Sequence, residues 1–380
     1  MDPETTYPNL TTLPPHLYMA LELSQTTWQL GFTIGLGQAP RLRKLAARDL
    51  PGLREEIRLS RKRFGLPENV PVLSCYEAGR DGFWVHRYLT SQGVTNLVVD
   101  SASIEVNRRK RRTKTDRLDV VKLLTMLIRY AHGEQKVWSV LHPPGPEEED
   151  QRQLHRELLA LKRERTYHIN RLKGLLANQG VLLAVQVDFL EQLDTVRLWD
   201  GAPLPPGLHT CLQREYVRYQ LIQEQVHQLE KIRLEAIRTA ETPALKQVRQ
   251  LLQLPGLGVN SAWLFVMEFF AWRNFRNRRE VGALAGLTPT PYQSGTSGRE
   301  QGISKAGNRQ VRTMAIEIAW IWLRYQPESA LSRWYQTRFG HGNSRLRRIG
   351  IVALARKLLI ALWQYLEHDR LPEGARLRPV

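Results

Sequence analysis

Four carboxylates are the residues whose types and spacing could do chemistry. Glu22 lies within one apolar run, Glu77 ends another, and Asp116 and Asp119 stand i, i+3 at the start of a periodic segment. That last spacing puts both aspartates on one face of a helix. Acids at strand ends and on such a helix can converge on one sheet edge, where they repel unless cations sit among them. Hard oxygen ligands of this kind suit Mg²⁺ or Mn²⁺. Two such ions roughly 3.5 to 4 Å apart can stabilise both the attacking and the leaving oxygen of a phosphodiester. Taken singly, each acid reads as ordinary surface charge.

A second candidate site is residues 286–312, GLTPTPYQSGTSGREQGISKAGNRQVR. Ser294, Thr296, Ser297 and Ser304 lie between glycines and are flanked by Arg299, Lys305, Arg309 and Arg312. A flexible loop of this composition leading into a helix can offer backbone donors and cations to a phosphate, with a serine hydroxyl as nucleophile. The plainer reading is an exposed loop in which Ser304 caps the next helix. Upstream, Leu254-Pro255-Gly256-Leu257-Gly258 has the pattern of a helix-hairpin-helix, in which Gly256 and Gly258 let backbone N–H groups approach a phosphate. An ordinary interhelical turn is the alternative. The basic run Arg108, Arg109, Lys110, Arg111 and Arg112, with Lys114, reads as a grip on an RNA or DNA backbone or as a solvated loop. Arg345, Arg347, Arg348, Arg356 and Lys357 could also line DNA, whereas Trp320, Trp322 and Trp363 read as core.

The elements that must position these residues follow from periodicity. Residues 17–34 read as a β-hairpin around a polar turn. After a basic helix-like stretch come a strand at 70–76, an amphipathic helix through Phe83, Val85 and Leu89, and a strand at 94–99. The period switches from two to 3.6 and back, the mark of an α/β domain. A helix follows over 118–128, and the proline-rich, acidic stretch 143–150 reads as a boundary. Two long helical patterns, 151–176 and 212–240, suit an antiparallel hairpin or coiled coil. The expected division is therefore 1–145, 146–245 and 246–380.

Composition bounds the function. Lys plus Arg number 55 against 37 Asp plus Glu, a net charge of +18 that favours a polyanionic partner. No metalloprotease, nucleotide-binding or hydrolase signature occurs, and the two cysteines, Cys75 and Cys211, provide neither a disulfide framework nor a zinc site. Residues 1–15 lack a signal-peptide pattern, and the apolar runs 261–270 and 315–323 are shorter than a membrane span, so a cytoplasmic protein off the membrane is expected.

Five segments, CYEAGRDG around Glu77, KTDRLD at 114–119, LPGLG at 254–258, AGLTPTPYQSGTS at 285–297 and GISKAGNRQVR at 302–312, occur in this order. Together they resemble the DEDD transposases of the insertion-sequence one-hundred-and-ten family, which includes the Piv-type invertases. The resemblance implies an α/β plus α architecture. Its parts are a RuvC-like (RNase H-like) domain, a helical coiled-coil connector and a mostly helical C-terminal transposase domain with the helix-hairpin-helix. It implies that Glu22, Glu77, Asp116 and Asp119 hold Mg²⁺ or Mn²⁺, and that Ser294 attacks DNA to form a phosphoserine. The first of these acids is usually Asp in the family, whereas this chain has Glu22. It also implies a guide (bridge) RNA pairing with donor and target DNA, and a homodimer assembling to a tetramer in the bacterial cytoplasm, acting at the nucleoid. The residues alone leave open a metal-dependent nuclease or junction resolvase, a protein-only invertase and a nucleic-acid binder without chemistry.

Overall fold

Alternating apolar residues and a Ser-Gln-Thr turn make the first hairpin, β1 (Leu17–Leu23) and β2 (Thr27–Thr33), with the Ser24 hydroxyl accepting from Thr27 N at 3.2 Å. The computed structural model describes residues 15–80, 82–104, 116–134, 136–294 and 297–378, with backbone alone at 102, 116, 292–294 and 297–301. Next come β3 (Arg41–Ala46), α1 (Leu50–Arg63), β4 (Val72–Glu77), α2 (Trp84–Ser91) and β5 (Thr95–Val99). The first unit closes with α3 (Asp116–Ala131) and β6 (Val140–Leu141). The sheet order is β3-β2-β1-β4-β5-β6, with β1, β4 and β5 parallel and the other pairings antiparallel. This mixed sheet is consistent with an RNase H-like domain.

β3 replaces part of the expected basic helical stretch. It is an edge strand whose Arg43 and Lys44 are exposed, and charge on an edge hides the alternation that marks a strand. Its Arg41 is buried and pairs with Glu56 of α1 while donating to Ser60 Oγ at 3.0 Å. One sheet face, carrying Leu17, Met19, Leu21, Leu30 and Phe32, packs with α1 and α2 residues including Leu53, Val85 and Leu89. The other, carrying Tyr18, Ala20, Cys75 and Val99, packs with Val120, Leu123 and Leu127 of α3. Gly31 permits that approach, because a Cβ there would lie 2.4 Å from Val120 Cγ1 and 2.8 Å from Leu124 Cδ1.

The contacts divide the chain into Met1–Pro144 and Gly145–Val380. The second unit begins with α4 (Pro146–Gln151), α5 (Gln153–Ala177), α6 (Phe189–Thr195) and α7 (Pro206–Thr239). α5 and α7 run antiparallel around Leu158, Ile222 and Val226. Polar rungs join Lys162 to Glu230 at 2.6 Å, Arg165 to Gln223 at 3.2 Å and His168 to the buried Glu215 at 2.7 Å. Then follow α8 (Pro243–Leu252), α9 (Val259–Phe265) continued by a π-helical turn (Val266–Phe270), and α10 (Arg278–Leu284). The chain continues through β7 (Pro289–Ser294), β8 (Ser297–Ile303), α11 (Arg309–Tyr325), α12 (Ala330–Tyr335) and α13 (Ser344–His368).

The helical hairpin, expected as a connector of its own over 146–245, belongs to the same unit as the C-terminal helices. A buried charge cluster joins them. Glu268 of the π-helical turn, 3% exposed, accepts from Arg152 Nε at 3.1 Å and Arg156 Nε at 2.8 Å. Burial pushes the Glu268 carboxyl up, but the Arg156 hydrogen bond and the Arg152 charge outweigh it and hold it below the usual range. α13 is long and apolar enough to cross a membrane, which the short apolar runs of the sequence did not suggest. Its Ile351, Leu354, Leu358 and Leu362 instead pack in the protein core with Trp322, Phe265 and Phe269, so it is the core helix of this unit.

His155 of α5 is buried beside this cluster. Burial, and next the Arg233 guanidinium, push its imidazole down from 6.5 to about 4, with Lys162 and Arg156 adding to the effect and Glu268 opposing it. Between those values the unfolded chain binds a proton that the folded chain refuses, so stability falls as the pH drops from 6.5 towards about 4. His155→Leu is expected to flatten this part of the profile by up to roughly 3 kcal/mol. Melting temperature against pH measures it, and an unchanged slope in the variant would assign the loss to other groups.

Candidate active site

The parallel ladder pairs Leu21 of β1 with Tyr76 of β4, so Glu22 and Glu77 occupy the next rung, at the carboxyl ends of both strands. Side chains alternate across a sheet. Glu22 therefore shares the face of Tyr18 and Ala20, and Glu77 that of Cys75, which is the face covered by α3. Both carboxylates line a cleft of about 330 Å³ together with Ser24, Gln25, Gly79 and Arg80. The loop after β4 forms one wall. Tyr76 Oη donates to Gly82 O at 3.0 Å, Ala78 N to Val99 O at 2.8 Å and Ser101 Oγ to Ala78 O at 2.9 Å.

Asp119 is partly buried and directly precedes Val120, which packs on Gly31, the partner of Ala20. Asp116 opens α3, and its side chain lies outside the described residues. Among the described side chains, no three His, Cys, Asp or Glu gather into a set able to hold a metal ion; the structure brings Glu22 and Glu77 together and does not add Asp119 to them. The donor chemistry of the pair fits a hard divalent cation. Arg80 and Gln25, which the sequence reading did not single out, line the same cleft and are joined by a 3.3 Å hydrogen bond. Their signal was Arg80 between Gly79 and Gly82 in the Glu77 motif. Arg108, Arg109, Lys110, Arg111, Arg112 and Lys114 lie outside the described residues.

Within residues 286–312, expected as a flexible loop leading into a helix, the described residues form two paired strands ahead of α11. β7 pairs antiparallel with β8, and Ser294, the last residue of β7, stands opposite Ser297. Arg299 stands opposite Tyr292. The side chains of Ser294 and Arg299 lie outside the described residues. Ser304 does not cap the next helix. Asn308 does, its Oδ1 accepting from Gln310 N at 2.9 Å and Val311 N at 3.2 Å, because Ser304 is held in the hairpin by a 2.8 Å bond from its N–H to Thr288 O.

The base of the hairpin is a close crossing of two backbones. Lys305 N donates to Gly286 O at 3.1 Å and Asn308 N to Leu284 O at 3.0 Å. Gly307 has φ +106°, and a Cβ there would lie 2.1 Å from Leu284 O. At Gly286, φ +69°, a Cβ would lie 2.3 Å from Ala306 O. Lys305 is exposed with φ +56°, and Arg309 is exposed on the first turn of α11. Arg312 is partly buried and donates to Ala285 O at 3.3 Å, which ties it to the end of α10.

The Leu-Pro-Gly-Leu-Gly segment joins α8 to α9, with Leu254 and Leu257 in the core. Gly256 takes φ +100°, while the Gly258 N–H donates to Ser261 Oγ at 3.1 Å as the cap of α9. The C-terminal segment and the end of α11 both bond to this turn. Arg378 Nη2 donates to Leu257 O at 3.0 Å and Gln326 Nε2 to Pro255 O at 3.3 Å.

The turn, the hairpin and α11 all fall within residues 248–336, which match the profile of the transposase IS116/IS110/IS902 family. Over 380 residues, 95% of this chain and 94% of the relative, the sequence is 41% identical to a putative transposase, y4rJ, of Sinorhizobium fredii (strain NBRC 101917 / NGR234). The chain belongs to this transposase family. The transposase is also 29% identical over 229 residues, 59% of its length and 65% of the relative's, to the transposase for insertion sequence element IS1328 of Yersinia enterocolitica. To the transposase for IS1111A of Coxiella burnetii (strain RSA 493 / Nine Mile phase I) it is 28% identical over 166 residues, 43% of this chain and 44% of that one. It is a DNA-acting enzyme whose profile-matched part contains Ser294.

The backbone crossing makes a sharp prediction for the transposase. Gly307→Ala combines a left-handed φ with a 2.1 Å clash and is expected to cost more than about 2 kcal/mol. Gly302→Ala, at φ +86° with no described atom within 4 Å, should cost only about 1 kcal/mol. Urea unfolding of both variants measures the difference, and equal costs would mean that the crossing is not tight.

Proposed function

We propose that this transposase exchanges DNA strands with Ser294 as nucleophile and with Glu22, Glu77, Asp116 and Asp119 as ligands of Mg²⁺ or Mn²⁺. The observation that carries the reading is the shared cleft of Glu22 and Glu77 at neighbouring strand ends, in a chain belonging to a transposase family. Bound there, the cation would supply charge neutralisation to the phosphodiester oxygens. Ser294 Oγ loses its proton and forms a bond to phosphorus, while one ester oxygen of the DNA leaves and gains a proton as a free hydroxyl. A hydroxyl of another strand then reverses the step, releasing the serine and joining the strands. Placed at the end of β7, above the crossed backbones of Gly286 and Gly307, the serine is carried on a two-stranded ladder.

The resemblance adds the finer terms of the proposal. Sequence choice rests on a guide RNA that pairs with donor and target DNA. The active assembly is a tetramer built from dimers, and residues 108–114 together with Lys305 and Arg309 grip nucleic-acid backbones. Glu22 takes the place of the more usual Asp and reaches the cation with one extra methylene.

RNA sequencing of material co-purified with the protein, followed by incubation with donor and target DNA and Mg²⁺, tests the proposal. Ser294→Ala should abolish the covalent protein–DNA adduct and lower strand exchange by at least about a hundredfold while leaving RNA binding intact. Glu77→Gln should lower exchange similarly without weakening RNA binding. Cleavage that survives in Ser294→Ala but fails in Glu77→Gln would overturn the serine in favour of a water-using metal nuclease. An absence of enriched RNA, with exchange intact, would make the protein a self-sufficient invertase or resolvase.

A further inference from the structure

α13 does not join the core along its whole length. Its buried residues begin at Gly350 and Ile351, and all of residues 344–349 before them are exposed, Leu346 by 39% and Ile349 by 50%. Consecutive residues point all round a helix, so no face of these first two turns, about 9 Å long, is buried in the core. What precedes them fixes where they stand. α12 runs on through a second π-helical turn (Gln336–Gly340) into the connection 341–343, a helix–turn–helix arrangement. Asn343 caps α13, its Oδ1 accepting from Leu346 N at 2.9 Å, and Gly342 N donates to Phe339 O at 3.0 Å. Gly350 lets the two helices touch, since a Cβ there would lie 2.4 Å from Phe339 Cγ. Tyr335 Oη donates to Arg347 O at 3.3 Å, and the Trp320 ring meets that tyrosine edge-on at 6.4 Å. Trp320, expected as core, is 47% exposed because it falls outside the inward stripe of α11 that Trp322 occupies.

The charge here is one-sided. Between Glu328 and Glu367 the chain has seven Lys and Arg residues and no Asp or Glu. Three are engaged within the fold: Arg333 with Glu328 O, Arg356 against Gly282, and Lys357 over the Trp334 ring at 4.6 Å. Arg338, Arg345, Arg347 and Arg348 are exposed, and among the described residues none of their guanidinium groups has an ion pair or hydrogen bond. Arginines in the first turns of a helix repel one another and oppose its dipole, and no acid stands in the first turn to offset them. The arrangement is unfavourable in the protein alone and is relieved by an anionic partner.

We propose that the exposed first two turns of α13 enter the major groove of duplex DNA, with Arg345 and Arg348 facing base edges and Arg338 and Arg347 the flanking phosphates. Arg345 and Arg348 stand i, i+3 and share a face, while Arg347 points to another side. A helix lodged in a groove meets base edges on one side and a backbone on each flank, so cations around its whole circumference fit. The arginine fork matches the N7 and O6 acceptors of guanine. A B-form major groove is about 12 Å wide and takes a helix, whereas that of an RNA duplex is deep and narrow. Shape therefore selects DNA where charge alone would take either. A second copy of the chain would set arginines against arginines. The proposal rests on the DNA activity of the family alone, and neither the serine nor the metal chemistry enters it.

Duplexes selected from a random DNA pool by the unaltered full-length protein, in metal-free buffer, test it. Fluorescence anisotropy gives the affinity, and dimethyl sulfate reports guanine N7 in the major groove and adenine N3 in the minor. The unaltered protein should protect N7. Combining Arg345→Ala with Arg348→Ala should remove that protection and weaken DNA binding at least about tenfold, leaving affinity for an RNA duplex of the same length unchanged. The melting temperature of the double variant should equal or exceed the parent's, because repelling charges are removed. Unchanged DNA affinity and N7 protection in the double variant overturn the proposal. Protection of adenine N3 in place of guanine N7 overturns it by placing the contact in the minor groove. An equal loss on the RNA duplex overturns the groove reading and makes these turns a general phosphate grip.

Discussion

The parallel pairing of β1 with β4 is the constraint on which the carboxylate cleft depends. Side chains alternate with a period of two, so a one-residue slip in either strand would send its terminal glutamate to the face covered by α1 and α2. The register is held from both sides. Leu17, Met19 and Leu21 are fully buried on one face, and Ala20 is fully buried on the other against α3. The cost of exposing these residues, at about 25 cal/mol per Å² of apolar surface, is what keeps Glu22 beside Glu77. The small residues matter as much as the large ones. Gly31 and Ala20 pair across the β1–β2 hairpin, and their lack of bulk lets α3 descend onto the sheet, where the Leu123 carbonyl oxygen lies 3.9 Å from Cys75 Sγ.

The second unit depends on two polar devices of different character. The crossing of residues 284–286 with 305–308 uses neutral backbone groups, and its tolerance is set by sterics, since no side chain fits at Gly286 or Gly307. The Glu268 cluster uses charge. A buried carboxylate held by Arg152 and Arg156 adds little net stability over an apolar replacement, yet removing one partner of such a pair costs about 3–5 kcal/mol. Its effect is one of specification, tying the base of the α5–α7 hairpin to the π-helical turn after α9. Trp272 adds to the same joint, its ring 3.9 Å from the Arg273 guanidinium and 4.9 Å from that of Arg152.

Much of the architecture was legible from local pattern. The β1–β2 hairpin, β4, α2, β5 and the two long helices follow from periodicity, because each buries one face and the polar residues between them report the other. β3 was hidden by its charges, and β6 by its length of two residues. The β7–β8 pairing is hidden in the sequence because the glycines and prolines of the segment are poor strand formers, and it stands next to a backbone crossing that joins residues far apart in the local pattern. Asn308 displaced Ser304 as helix cap because the Ser304 N–H is bonded to Thr288 O.

The sequence by itself determined the chemical types on offer: carboxylates within a strand, at a strand end and at a helix start, a serine in a glycine-rich segment, a strong positive charge and an ordered set of motifs. These are local properties, carried by residue identity and spacing. Only the tertiary structure decided which of them meet. It set Glu22 beside Glu77 through a ladder between strands some fifty residues apart, admitted Arg80 and Gln25 to their cleft, and turned Trp320 outward while Trp322 went to the core. Contacts of that range depend on register, helix rotation and the absence of a few side chains at glycine, none of which a local pattern contains.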